Sequence, residues 1–124
     1  MSQKKKILLV DDSRTVLLMH QLLLADRGYE VLTARDGQDA IDRALSERPD
    51  IIFMDVLMPH MDGFAACQEL RAHESTRHIP IIMVTTRGEP QNVQRGYESG
   101  CSDYITKPFN DNELLNKLER YLSQ

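Results

Sequence analysis

The feature that most constrains this chain is a regular alternation of short apolar runs with longer helix-period segments, sustained from end to end. The runs fall at residues 7–10, 29–32, 51–54, 79–84 and 103–106. Several are almost continuously aliphatic, as suits strands buried on both faces of a parallel sheet. The intervening segments carry helix signals. Ser13 or Asp12 can cap a helix running to about Arg27, with Gly28 ending it. Asp36 can cap a second, which stops before Arg48-Pro49 because a residue preceding proline disfavours helical dihedrals. Asp62 precedes a third over Gly63–Ala72, Pro90 suits the first turn of a fourth ending at Gly100, and Asp111 precedes a last helix to Leu122. The pattern is β-α repeated five times. Right-handed crossovers then place helices on both faces of a five-stranded parallel sheet, an α/β architecture. With no repeat, linker or low-complexity tract, residues 1–124 read as a single domain.

Composition narrows the function. The net charge of −4 argues against nucleic-acid binding through a basic surface, and the one basic run, Lys4 to Lys6, lies at the N-terminus. No apolar stretch has the length of a bilayer span or of a secretory leader, so a cytoplasmic location with no membrane partner is expected. Cys67 and Cys101 do not make a disulfide framework and are read as reduced, small packing residues.

In a sheet of this kind, ligands sit beyond the carboxyl ends of the strands, near the point where the strand order reverses. Asp11 and Asp12 follow the first run, Asp55 the third, Thr85 the fourth, and Lys107-Pro108 the fifth. Each has an ordinary reading taken alone: a helix cap, a loop aspartate, a β-branched strand residue, a turn. Coincidence at every one of these strand ends is much less probable than one shared site. Converging carboxylates repel unless a cation joins them, and an all-oxygen ligand set favours a hard divalent ion such as Mg2+. Thr85 adds a hydroxyl and Lys107 a point charge on a flexible stem. These are the parts that phosphoryl transfer requires: a nucleophilic oxygen, a metal and positive charge on the equatorial oxygens.

The segments Leu9-Val10-Asp11-Asp12-Ser13, Met54-Asp55-Val56-Leu57-Met58-Pro59-His60-Met61-Asp62-Gly63, Val84-Thr85-Thr86 and Asp103-Tyr104-Ile105-Thr106-Lys107-Pro108-Phe109 resemble the receiver domains of two-component response regulators. The likeness covers essentially the whole chain and is nearest in layout to stand-alone, chemotaxis-type receivers. It implies the flavodoxin-like (βα)5 receiver fold, with Asp55 accepting a phosphoryl group from the histidine of a sensor kinase or phosphotransfer protein. It further implies that Asp11, Asp12, Asp55 and the Leu57 backbone carbonyl hold Mg2+. Lys107 would bind the phosphoryl oxygens, Thr85 would be the switch hydroxyl and Tyr104 the switch aromatic, and the Lys107–Pro108 peptide would be cis. Phosphorylation would then reshape a surface of the fourth helix, fifth strand and fifth helix for a downstream protein target, with chemotaxis or motility signalling as the expected pathway. The expected protein is a monomer and not an enzyme, apart from Mg2+-dependent self-phosphorylation and self-dephosphorylation. Competing readings are a phosphorelay intermediate or phosphate sink, and the receiver part of a longer regulator. Closure at Gln124, just after the last helix, favours a stand-alone protein and leaves no residues for a DNA-binding effector.

A haloacid-dehalogenase-like phosphatase needs a second aspartate two residues after its nucleophile, where Ser13 stands. A dinucleotide-binding fold needs a glycine-rich turn after the first strand, and residues 11–14 have none. The histidines His20, His60, His73 and His78 share no ligand spacing, and His60 alone lies near the site in sequence. Leu57 and Arg87, each two residues beyond a functional position, offer no acidic or amide group to place an attacking water, so a slowly lost phosphoryl group is expected. Gly96 interrupts the fourth helix and either eases its rearrangement or permits close packing. The first helix is too apolar for one buried stripe, and Leu18 falls off its core face. A docking surface for a phosphodonor helix and extra packing against the last helix both account for that.

Overall fold

The computed structural model describes residues 4–58, 60–86 and 90–122. The elements alternate as β1 (Lys6–Val10), α1 (Arg14–Asp26), β2 (Glu30–Ala34), α2 (Gly37–Glu47), β3 (Ile51–Asp55), α3 (Gly63–Ala72), β4 (Ile81–Thr86), α4 (Pro90–Glu98), β5 (Asp103–Lys107) and α5 (Asp111–Leu122). The strands form one parallel sheet in the order β2-β1-β3-β4-β5, so the order reverses at β1 and β3. This is the expected (βα)5 architecture.

Side-chain alternation along each strand sorts the core into two layers. Leu8, Val10, Ile52, Met54, Ile81 and Met83 pack against Ala40, Ile41 and Ala44 of α2 and Phe64, Cys67 and Leu70 of α3. Ile7, Leu9, Ile51, Phe53, Ile82, Val84 and Ile105 face the other way, against Leu17 and Leu24 of α1 and Leu114 and Leu118 of α5. Both faces are therefore apolar, which is why the central strands read as unbroken aliphatic runs. Cys67 and Cys101 are free thiols buried in the first layer. Gly96 faces that layer too. A Cβ there would stand 3.2 Å from both Cys101 Sγ and Met83 Cγ, so close packing of α4 on the sheet gives this glycine its reason.

Several boundaries differ from the sequence pattern, each for a local reason. β2 covers Glu30–Ala34 because it pairs residue for residue with Lys6–Val10, and Tyr29 packs instead against the second core layer. β4 begins at Ile81, since Ile79 is held in the preceding turn by its amide donating to the Thr76 carbonyl at 3.1 Å. Ser13, not Asp12, caps α1: its Oγ accepts from the Val16 amide at 3.3 Å. Asp111 is the first residue of α5, and the capping oxygen is Asn110 Oδ1, which accepts from the Glu113 amide at 2.9 Å. Among the described residues, no helix is long and apolar enough to cross a membrane.

Candidate functional site

The carboxyl ends of β1 and β3 lie side by side at the point where the strand order reverses. Asp11 continues the β1 ladder by one bond, its amide donating to the Ala34 carbonyl at 3.1 Å, and the side chain is buried. Its carboxylate is held from two directions. Oδ1 accepts from the Ser13 amide at 2.9 Å, and Oδ2 accepts from Lys107 Nζ at 3.0 Å. Asp12 follows and is exposed. Asp55 is the last residue of β3, 8% exposed, and its Oδ2 lies 3.5 Å from the same Lys107 Nζ. The lysine thus bridges two aspartates that are 44 residues apart in sequence.

The turn after β3 is kept tight by Gly63. Its amide donates to the Val56 carbonyl at 3.0 Å, and a Cβ at this position would collide with the Asp55 backbone carbonyl. Only glycine permits α3 to start so close beneath the Asp55 backbone. Leu57 lies in the same loop with its side chain 62% exposed, while its amide donates to the Asp55 carboxylate.

Electrostatics mark Asp55 as the uncompensated member. Burial raises its pKa from 3.8 to about 6, with the Asp11 charge adding to the effect. Lys107 and the Leu57 amide oppose it without winning. Partial burial also works against the Lys107 ammonium, but the Asp11 and Asp55 carboxylates outweigh it and hold this lysine above its ordinary value. The Lys107 ammonium thus pairs with Asp11 and Asp55, and Asp12 adds a third negative charge beside them. Oxygens of Asp11, Asp12 and Asp55 all lie within 4.8 Å of one another. An all-carboxylate set with excess negative charge, open to solvent on the Asp12 side, fits a hard divalent cation that keeps several waters.

Thr85 and Lys107 lie inside their strands rather than just beyond them. Thr85 is buried as the penultimate residue of β4, opposite Thr106, and is one residue further along than Val84, the partner of Asp55. Lys107 closes β5 opposite Thr86, and the Lys107–Pro108 peptide is cis. Tyr104 points outward, 37% exposed, with its ring edge-on to Tyr97 of α4 at 6.3 Å and Lys117 Nζ 5.9 Å from its centroid. Arg87 lies outside the described residues.

The structure also corrects the reading of the histidines. His60 is exposed, in a left-handed backbone conformation with φ 72°. The imidazole that reaches the site is His20 of α1, half-buried and stacked on Phe109 with ring centroids 5.2 Å apart. Burial lowers its pKa, although the nearby Asp11 and Asp111 charges act in the opposite sense. Helix phase could have found it, because residues 16 and 20 recur at one-turn spacing on α1 and both line the groove beside Lys107.

The model of the response regulator receiver domain family matches residues 7–119. The alkaline phosphatase synthesis transcriptional regulatory protein PhoP of Bacillus subtilis is 39% identical over 95% of this chain, which spans 48% of PhoP. This chain thus spans about half the length of that curated relative. The Vibrio cholerae chemotaxis protein CheY4 is 40% identical and superimposes with a TM-score of 0.91 over 97% of this chain and 100% of its own. The receiver domain of a sensor histidine kinase from Pseudomonas aeruginosa was solved with magnesium coordinated in its active-site cleft. It is 34% identical, with a TM-score of 0.88 over 98% of this chain and 100% of its own. Sequence, fold and the placing of the acidic cluster agree, and the chain belongs to the response regulator receiver domain family.

Proposed function

We propose that this receiver takes a phosphoryl group onto an Asp55 carboxylate oxygen from the phosphohistidine of a sensor kinase or phosphotransfer protein. The observation that carries the reading is the bridging of Asp11 and Asp55 by Lys107 Nζ, 3.0 and 3.5 Å away, inside a cluster with room for a cation. In the transfer, the P–N bond of the donor breaks and a P–O bond to Asp55 forms. Asp11, Asp12, Asp55 and the Leu57 backbone carbonyl would hold Mg2+, which would supply Lewis-acid stabilisation of the phosphoryl oxygens. Lys107 supplies the second positive charge, and the buried end of β3 keeps the nucleophilic oxygen fixed. Thr85, one residue beyond the level of Asp55, is the hydroxyl that responds to the new acceptor, and outward-facing Tyr104 is the aromatic that follows it. The α4–β5–α5 face is the surface this motion would change.

The donor's approach is supported by α1. Leu18, Met19 and Leu22 are 56%, 62% and 63% exposed. Beside them a groove of about 400 Å3, lined by Val16, Met19, His20, Thr86, Lys107 and Phe109, opens next to the site. Extra packing of α1 does not account for side chains that face solvent, so docking of an apolar helix that presents histidine is the reading favoured here.

Two pathway readings have support. The likeness to CheY4 supports a switch in chemotaxis or motility. The half-length match to PhoP supports the receiver part of a longer transcriptional regulator. Incubation with acetyl [32P]phosphate and Mg2+ tests the common core. Wild type should take up one acid-stable, hydroxylamine-labile label per chain, and Asp55→Asn should take up none. Label retained in Asp55→Asn would falsify the assignment.

A further inference from the structure

We infer that His20 is a positioning residue for the phosphoryl chemistry: its imidazole, stacked on Phe109, fixes the turn that carries Lys107. The inference rests on the Asp55 phosphoacceptor reading. The His20 and Phe109 ring planes are 25° apart with centroids separated by 5.2 Å, a stacked arrangement between α1 and the segment leading into α5. Phe109 stands two residues past Lys107, and the intervening Pro108 transmits the placement of the ring to the backbone from which the lysine springs.

The other restraints on that backbone come from the sheet, from the core and from the cap of α5. β5 is the edge strand, so Lys107 is held by the sheet on one side only, through its pairing with Thr86. The chain then leaves the sheet and starts α5 at Asp111. Of residues 108–110, Phe109 is the large apolar anchor. Phe109 packs inward against the layer that contains Leu17 and Leu114, and a space of about 20 Å3 remains among Leu17, His20, Phe109, Lys107 and Leu114. The His20 ring adds a second contact to the Phe109 ring, from α1. Lys107 must nevertheless place one ammonium against two carboxylates at the end of a four-carbon stem, and small displacements at such a group are known to lower rates steeply.

The test compares wild type with His20→Ala, His20→Leu and His20→Phe, following the rate of label uptake from acetyl [32P]phosphate at saturating Mg2+. Urea unfolding of each protein reports whether it is folded. His20→Ala and His20→Leu should be slower by about tenfold, and the leucine variant keeps the test valid if the alanine variant fails to fold. His20→Phe, which preserves a ring over Phe109, should recover most of the lost rate. A role in stability alone would move the unfolding midpoints and leave the rates of the folded proteins unchanged, and that result overturns the inference. So does a His20→Phe rate no better than that of His20→Leu. Absence of label in wild type is a different failure, that of the phosphoacceptor reading itself.

Discussion

Asp55→Asn should make the metal-free protein more stable. The wild-type carboxyl is held at about 6 against an ordinary 3.8, chiefly by burial. That difference corresponds to roughly 3 kcal/mol against the ionised form at neutral pH. Asparagine has almost the same shape and no charge. Lys107 keeps its partner Asp11 at 3.0 Å, so the substitution does not strand the ammonium. Part of the gain is offset by the loss of the Lys107–Asp55 attraction and by the need to satisfy the new amide, leaving about 1–2 kcal/mol of net stabilisation. The sign with pH follows from the raised value. Between 6 and 3.8 the folded chain takes up a proton that the unfolded chain does not, so the wild-type deficit is full above about 6, shrinks as pH falls, and is gone below 3.8. Urea unfolding in EDTA at pH 7.5, 6 and 4.5 checks this. Added Mg2+ should also close the gap at pH 7.5, by stabilising wild type through binding to its native state. A destabilised variant, or a gap of constant size from pH 7.5 to 4.5, would refute the reasoning.

Three further outcomes are expected. Leu57→Asn, next to Asp55 on an exposed loop position, should shorten the phosphoryl lifetime by about tenfold through placing a water, as general-base assistance does; equal decay of isolated phosphoproteins would remove this role. Gly96→Ala should lower stability by about 1 kcal/mol in urea, because crowding against Cys101 and Met83 outweighs the better helix propensity; a gain in stability would show that α4 has slack. Asp103→Asn should destabilise by about 1–3 kcal/mol at pH 7. Burial alone would raise the Asp103 carboxyl, but Lys117, the Tyr104 amide and the Tyr121 hydroxyl together lower it. Its contribution is therefore present above the ordinary carboxylate range and lost as pH falls through the depressed value, so a gap undiminished at pH 3 would count against it.

The carboxylates of the site were legible in sequence because they recur together at the ends of aliphatic runs that one parallel sheet brings to the same edge, although each alone has an ordinary structural reading. Thr85 and Lys107 were also legible, although both belong to their strands. Pairing between neighbours sets those ends, and pairing is not visible in a single segment: Thr86 opposite Lys107 extends β5 to the lysine. The same cause moved β2 to Glu30–Ala34. His20 was missed because proximity in sequence is a poor guide on a helix. His20 lies one turn beyond Val16 on the side of α1 that meets Lys107 and Phe109, while His60, only five residues from Asp55, faces solvent. The outward apolar side chains of α1 were legible as an excess over what one stripe can bury, and their exposure argues against extra packing.

The charge balance that weakens the fold at Asp55 also determines how the site can work. Asp11 and Asp55 share one ammonium with Asp12 close by, and burial already opposes ionisation of Asp55. Placing a phosphoryl group on Asp55 increases the negative charge, because the carboxylate charge is exchanged for that of a phosphoryl dianion. Neither a proton nor Lys107 alone can offset this at neutral pH. The compensation has to arrive with the phosphoryl group, from a divalent cation, from closer approach of Lys107, or from the Thr85 hydroxyl. Each of these three is then thermodynamically linked to phosphorylation: whatever binds the phosphorylated site more tightly must, by the same free energy, favour phosphorylation. In the proposed role of His20, the ring pair with Phe109 bears on that linkage by fixing the turn from which Lys107 approaches.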